Sequence, residues 1–261
     1  MPGERLAATR RGRGPRVVLV HGFTQTARSW DTIAGRLVDG GREVVAVDVP
    51  GHGDSSAVVA DLPTAARLVL HTGGRAGYVG YSLGARICLH VALERPDDVT
   101  HLVLVSGSAG VEVVAERAQR RAADEALAGS IERDGVDRFL ERWLAQPMFA
   151  GLGGDAAGVK DRRRNTAAGL ASSLRHAGTG TQEPLWDRLA DLAMPVLLVA
   201  GERDTKFVAL AERMAVLIPD ADLRVVPAAG HAVHLEQPDT FTAAVLRFMS
   251  PHPSHGADVV T

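Results

Sequence analysis

The stretch R-A-G-Y-V-G-Y-S-L-G-A-R, residues 75–86, constrains the fold more than any other part of the chain. An apolar, strand-like run ends in Gly80-Tyr81-Ser82-Leu83-Gly84, and a helix-like run follows at once with no polar linker. A strand that becomes a helix within so few residues leaves little space at its corner. Glycines two residues to either side of Ser82 meet that demand, because a Cβ there would collide with neighbouring backbone. The serine hydroxyl is thereby pushed out past the end of the strand. Read alone, this G-x-S-x-G pattern is also compatible with a plain strand-to-helix turn, so the rest of the chain must supply a base, an acid and donors for negative charge.

The remaining chain alternates strands and helices. Strands are expected at residues 17–20, 43–47, 76–79, 101–105, 195–200 and 223–226, and helices at 30–37, 62–71, 85–93, 207–217 and up to 249. Parallel neighbours require crossover connections, so this rhythm predicts a mostly parallel, doubly wound α/β sheet with helices on both faces. Ligands then bind at the carboxyl ends of the strands. The loops after His21-Gly22, after Asp48 and at Ser82 all lie at such ends. Asp48 is expected to organise the turn from Pro50 to Gly53. Residues 110–192 break the rhythm with helical, arginine-rich composition, and read as an inserted helical cap with helices at 112–128, 130–145 and 156–174. The expected organisation is a core in two parts, 1–109 and 193–249, the cap between them, and a disordered Pro/Gly/His-rich tail at 250–261. The arginine-rich first sixteen residues lack the apolar stretch of a signal peptide and are expected to hold one short edge strand.

Composition narrows the partners. A net charge of -2 argues against a general nucleic-acid binder, and no apolar run approaches a membrane span. The lone cysteine, Cys88, excludes an intrachain disulfide and points to a reducing, cytoplasmic setting; it reads as a core residue. No cysteine and histidine cluster has metal-ligand spacing, so no metal or organic cofactor is implied. Nothing in the sequence sets an oligomeric state.

A serine hydroxyl needs a histidine to take its proton, and that histidine needs an acid to hold its tautomer. In this architecture the expected order is Ser, Asp, His. Asp204 follows the strand after the cap, and His231 follows the last strand, so Ser82, Asp204 and His231 are the candidate triad. Asp204 also reads as a helix cap, and His231 as a turn residue. His234 is expected behind the base or exposed. Backbone donors for an oxyanion hole are expected at Leu83, directly after the serine, and at Phe23, where Gly22 permits close approach.

The motifs Val20-His21-Gly22-Phe23, Asp48-Val49-Pro50-Gly51-His52-Gly53, Gly80 to Arg86, Gly201-Glu202-Arg203-Asp204-Thr205-Lys206-Phe207 and Ala229-Gly230-His231 together resemble one α/β-hydrolase family, the 2-succinyl-6-hydroxy-2,4-cyclohexadiene-1-carboxylate synthases of menaquinone biosynthesis. The cap segments Ala115 to Arg120, Trp143 to Ala150 and Arg164-Asn165 share the resemblance, which spans about residues 17–249. It implies a lyase that eliminates pyruvate from a small-molecule polycarboxylate, with Ser82 as general base. Hydrolysis of an ester or carbon-carbon bond through an acyl-serine is the alternative. The resemblance also implies Arg86, Arg120 and Arg164 as carboxylate partners, with Tyr81 and Trp143 shaping the pocket. The residues themselves support these unequally. Arg86 interrupts an apolar helix and needs an anion or a polar cavity. Arg120 equally fits a solvated helix face, and any of Arg162, Arg163 and Arg164 can point inward. Lys206 serves either the pocket or its own helix. Ala85 stands where the family usually has glycine, adding a methyl where helix meets strand.

Overall fold

The computed structural model describes residues 5–250. The expected tail therefore lies, Ser250 apart, outside the described residues. Seven strands form one sheet: β1 (Ala8–Arg11), β2 (Arg16–Val20), β3 (Glu43–Val47), β4 (Ala76–Tyr81), β5 (Val99–Val105), β6 (Val196–Gly201) and β7 (Ala221–Val226). Their order is β1-β3-β2-β4-β5-β6-β7. Strands β2 to β7 pair in parallel, whereas β1, the expected edge strand of the leader, pairs antiparallel with β3. The helices are α1 (Asp31–Asp39), α2 (Leu62–Gly73), α3 (Leu83–Glu94), α4 (Val114–Leu144), α5 (Val159–Arg162), α6 (Ala167–Ala177), α7 (Thr205–Leu217), α8 (Val233–Glu236) and α9 (Pro238–Phe248).

Side chains alternate across a strand, so each apolar run feeds two cores at once. Val18, Val20, Val45, Tyr78, Leu104 and Leu198 face one layer, built with α2, α3 and α7. Val17, Leu19, Val44, Val79, Val103 and Val199 face the other, built around Trp30, Ile33, Phe241 and Val245 of α1, α9 and the turn before α1. Cys88 lies in the first core, fully buried. No helix among the described residues is long and apolar enough to cross a membrane.

The strand order changes direction at β2: β3 lies on one side of it and β4 on the other. Val20 pairs with Gly80, so the loop after β2 and the serine turn after β4 start side by side. This is the switch point at which such sheets bind ligands.

Between β5 and β6 the chain leaves the sheet, and here the helices differ from expectation. The first two expected helices are one element, α4, with no break at Gly129. The kink comes instead at Gly135, whose φ of 80° and ψ of 168° suit glycine alone. It turns Phe139 and Leu140 onto the same small core as Ala128, Ile131, Leu170 and Leu174. The third expected helix is interrupted: Gly158 adopts a left-handed conformation, and α6 starts only after Thr166, whose Oγ1 accepts from the Gly169 N–H at 3.0 Å.

A Cβ at Gly135 would meet no atom within 4 Å, so substitution there tests backbone conformation alone. Gly135→Ala is expected to cost about 1–3 kcal/mol of stability, measured by urea unfolding. An unchanged midpoint would show that the kink carries no such strain.

Candidate functional site

Ser82 sits between β4 and α3 with φ of 52° and ψ of −107°, a conformation few side chains adopt. Packing around it explains why. A Cβ on Gly84 would overlap the Val20 carbonyl oxygen, and one on Gly80 would overlap that of Gly84. The helix thus crosses β2 and β4 backbone against backbone. The extra methyl of Ala85 is accommodated because residue 107 is glycine: a Cβ there would lie 2.7 Å from that of Ala85.

His231 Nε2 lies 3.2 Å from Ser82 Oγ, and its Nδ1 lies 2.6 Å from Asp204 Oδ2. A carboxylate can only accept, so Nδ1 carries the proton and Nε2 is left to accept from the serine hydroxyl. Two groups that sequence reasoning missed hold the histidine loop. The Glu236 carboxylate accepts from the N–H groups of Gly230 and Ala232 at 2.8 and 3.1 Å, one on each side of His231. The Ser106 hydroxyl donates to the His231 carbonyl at 2.8 Å.

The loop after β2 is equally constrained. Gly22 N–H donates to Gln25 Oε1, Thr24 N–H to His52 Nε2, and Gln25 N–H to the Gly22 carbonyl. The N–H groups of Phe23 and Leu83 have no acceptor among the described residues, and both residues line the cavity above Ser82. His21 donates from Nδ1 to the Gly22 carbonyl at 2.8 Å and accepts at Nε2 from the Val49 N–H at 3.1 Å. His52 likewise donates to the Pro50 carbonyl and accepts from Thr24. Each ring thus uses one nitrogen as donor and one as acceptor, which only the neutral form can do. Burial agrees, lowering the His21 pKa to about 4 and that of His52 to about 3. Asn165 ties the segment between α5 and α6 to this loop, donating to the Thr24 carbonyl at 2.7 Å and accepting from the Gly53 N–H at 2.9 Å. Asp48 accepts from the N–H groups of Ala27 and Asp54, which organises its turn as expected.

The cavity has a volume of about 780 Å³ and opens over Ser82, Asp204 and His231. Tyr81 and Trp143 line it, as do Arg86 and Arg120, but Arg164 does not. Arg164 instead pairs with Asp54 at 3.1 Å on the exterior, and the inward residue of that run is Arg162. The four-residue α5 decides this: it turns Arg162, 3% exposed, toward Thr24 Oγ1 and the Ala157 carbonyl, leaving the next two arginines outside. Arg86, 8% exposed, has no carboxylate partner among the described residues. It donates to the carbonyls of Ala177 and Gly178 and to Gln182 Oε1, at the negative end of α6. Burial lowers its pKa to about 10, so it stays charged at neutral pH. Arg120 is half-exposed and bonded to Asp124 at 2.8 Å. Tyr81 stacks near His231 and His234, with centroids 5.3 and 4.5 Å away, and burial raises its pKa well above the phenol range. His234 is buried behind Tyr81 against Trp30, not exposed. Trp143 lies edge-on to Phe23 at 5.3 Å, and its buried indole N–H has no partner among the described residues. No cluster of metal-ligating side chains occurs among the described residues.

Residues 17–245 match the alpha/beta hydrolase family. The chain is 34% identical to the 2-succinyl-6-hydroxy-2,4-cyclohexadiene-1-carboxylate synthase of Serratia proteamaculans, over 90% of this chain and 93% of that one. Among solved structures, MenH from S. aureus superposes with a TM-score of 0.86 at 28% identity, covering 92% of this chain and 97% of the other. A malate-bound esterase from Thermogutta terrifontis shares the fold at a TM-score of 0.80 and 23% identity, covering 93% and 92%.

The neutral histidines give stability a pH dependence of definite sign. Below pH 6.5 the unfolded chain binds protons at His21 and His52 that the folded chain refuses until about pH 4 and about pH 3. Stability is therefore full above pH 6.5 and falls with acidification, by about 3 kcal/mol for each ring by pH 4. Thermal midpoints should drop steadily between pH 6.5 and 4.5, with a shallower slope for His52→Gln. A flat profile would contradict neutral, buried rings.

Proposed function

Because the chain belongs to the alpha/beta hydrolase family and, within it, to the 2-succinyl-6-hydroxy-2,4-cyclohexadiene-1-carboxylate synthases, we propose that it eliminates pyruvate from 2-succinyl-5-enolpyruvyl-6-hydroxy-3-cyclohexene-1-carboxylate, a step of menaquinone biosynthesis. The observation that carries this reading is a charge count. Arg86, Arg162 and Lys206 line the cavity, and none has a carboxylate partner among the described residues. Arg86 and Arg162 are buried there, and burying a cation without counter-charge is costly unless a ligand completes it; Lys206 is exposed and adds an ammonium at the cavity wall. The substrate carries three carboxylates, on the ring, the succinyl arm and the enolpyruvyl group. Arginine forks and a lysine ammonium supply the matching donors.

Ser82 Oγ takes the proton from the acidic ring carbon as its own proton passes to His231 Nε2, and Asp204 stabilises the resulting imidazolium. The electrons of the broken carbon-hydrogen bond form a double bond between ring carbons 2 and 3, and the existing double bond moves to carbons 4 and 5. The bond from carbon 5 to the enolpyruvyl oxygen breaks with its electron pair on oxygen, and the departing enolate takes the proton held by the His231 imidazolium at its methylene carbon to become pyruvate. Negative charge that builds on the conjugated succinyl carbonyl meets the free N–H groups of Phe23 and Leu83. Trp143 and Tyr81 wall the ring, and residues 110–192 act as the cap that keeps water away. Arg120, joined to Asp124, serves the same anion from the cap side. Arg164 has no part in this reading.

A serine hydrolase is the second reading, since the same two N–H groups and triad geometry suit a tetrahedral acyl intermediate. Supplying the enolpyruvyl compound from the preceding pathway enzyme and measuring pyruvate separates the two. Wild type is expected to release pyruvate stoichiometrically, and Ser82→Ala to slow release by about 10²–10⁴-fold. A folded wild type that releases none, while a neutral ester leaves an acyl group on Ser82, would overturn the lyase in favour of the hydrolase.

A further inference from the structure

The mouth of the cavity carries an ion pair with an unusual setting. Arg213 of α7 donates to both oxygens of Glu112, with Nη2 to Oε1 at 2.9 Å and Nη1 to Oε2 at 2.5 Å. Its guanidinium also lies 3.8 Å from the ring centroid of Trp186. Glu112 and Trp186 belong to the two chain segments that enter and leave the cap, and all three residues line the cavity that opens over Ser82. Trp186 is buried and fixed by its indole N–H, which donates to the Gly110 carbonyl at 2.9 Å. Arg213 and Glu112 are only half buried, with side chains 49% and 46% exposed. The stack therefore holds the guanidinium in place whatever its carboxylate partner, whereas the pairing with Glu112 is open to solvent and weak.

Helix α7 continues this arrangement inward. Lys206, Leu210 and Arg213 all line the cavity. Their spacing of four and three residues stacks them on one helix face, with Lys206 and Arg213 about 10 Å apart along the axis. One end of this stripe adjoins Asp204, at the start of α7, and the other reaches the rim.

We infer that Arg213 is the rim receptor for a substrate carboxylate, and that Glu112 is its stand-in when the cavity is empty. An incoming carboxylate replaces Glu112 in the same two-pronged geometry, while Trp186 keeps the fork oriented. Lys206 then draws the molecule down the helix toward Ser82. Arg213 is a specificity-determining residue here: it selects for a carboxylate far from the reacting carbon and takes no part in proton transfer. This deepens the reading of the cavity as a polycarboxylate site and rests on it.

The exchange makes a prediction that a purely structural clasp does not. Removing Glu112 relieves competition, so Glu112→Gln should tighten binding, by no more than about fivefold for a surface pair. Removing the cation should weaken binding, about tenfold or more for Arg213→Gln, the scale of one charge-assisted pairing. Two readouts are needed: KM for pyruvate release, and the calorimetric dissociation constant of propane-1,2,3-tricarboxylate. Opposite shifts of the two variants are expected in both, with kcat nearly unchanged and a weaker salt dependence in Arg213→Gln. Shifts of the same sign, no shift in Glu112→Gln, or a wild type that does not bind the tricarboxylate would overturn the exchange. Should Arg213→Gln fail to fold, the direction of the Glu112→Gln shift alone decides. Failure of the lyase reading looks different: wild type would bind the tricarboxylate, with the two variants shifting oppositely, yet release no pyruvate.

Discussion

The contact on which the site depends is that of Gly84 with the end of β2. Backbone meets backbone there, since any Cβ on Gly84 would overlap the Val20 carbonyl oxygen. That closeness forces Ser82 into its positive φ and brings the first free N–H of α3, that of Leu83, beside the loop that carries the Phe23 N–H. The same contact fixes the serine relative to both N–H groups. Gly107 extends the arrangement to β5 by leaving room for the Ala85 methyl. A family position usually filled by glycine is thus compensated one strand away.

Electrostatics around this unit are divided by protonation. His21, His52 and His234 are buried at the back of the site, and burial lowers the pKa of each, so all three are neutral; His21 and His52 link backbone groups, whereas His234 packs without a hydrogen-bond partner among the described residues. Positive charge facing the cavity comes instead from residues that stay charged when desolvated: Arg86, on the carbonyl end of α6, and Arg162, on Thr24 and Ala157. Both are held by neutral acceptors, which orient a guanidinium without cancelling its charge. Asn165, which precedes α6, donates to the carbonyls of Arg162 and Thr24 and accepts from the Gly53 N–H, and so couples Arg162 to the loop after β2.

Much of this was legible from particular residues. Continuous apolar runs such as Val17 to Val20 and Leu197 to Val199 mark strands buried on both faces, and short loops of fixed chemistry follow them. What was not legible depended on local backbone choices with competing signals. Gly129 and Gly135 are equally able to break a helix, and only the pull of Phe139 and Leu140 onto the α6 core selects the second. Three consecutive arginines look alike in sequence; Gly158 and the short α5 decide that Arg162 turns inward and that Arg164 meets Asp54 instead. Glu236 and Ser106 carried no motif, because their task is to hold backbone groups of the His231 loop, and any acceptor or donor of suitable reach could perform it.

By itself the sequence determined the strand and helix alternation, the serine corner and the order of serine, acid and histidine, because periodicity and glycine requirements act over a few residues. Only the tertiary structure decided which cations face the cavity, which histidines stay neutral and which acid shadows Arg213 at the mouth. Those outcomes depend on desolvation and on contacts between segments far apart in the chain, such as Arg86 with Gln182 and Glu112 with Arg213, across gaps of 96 and 101 positions. No local pattern encodes such a meeting.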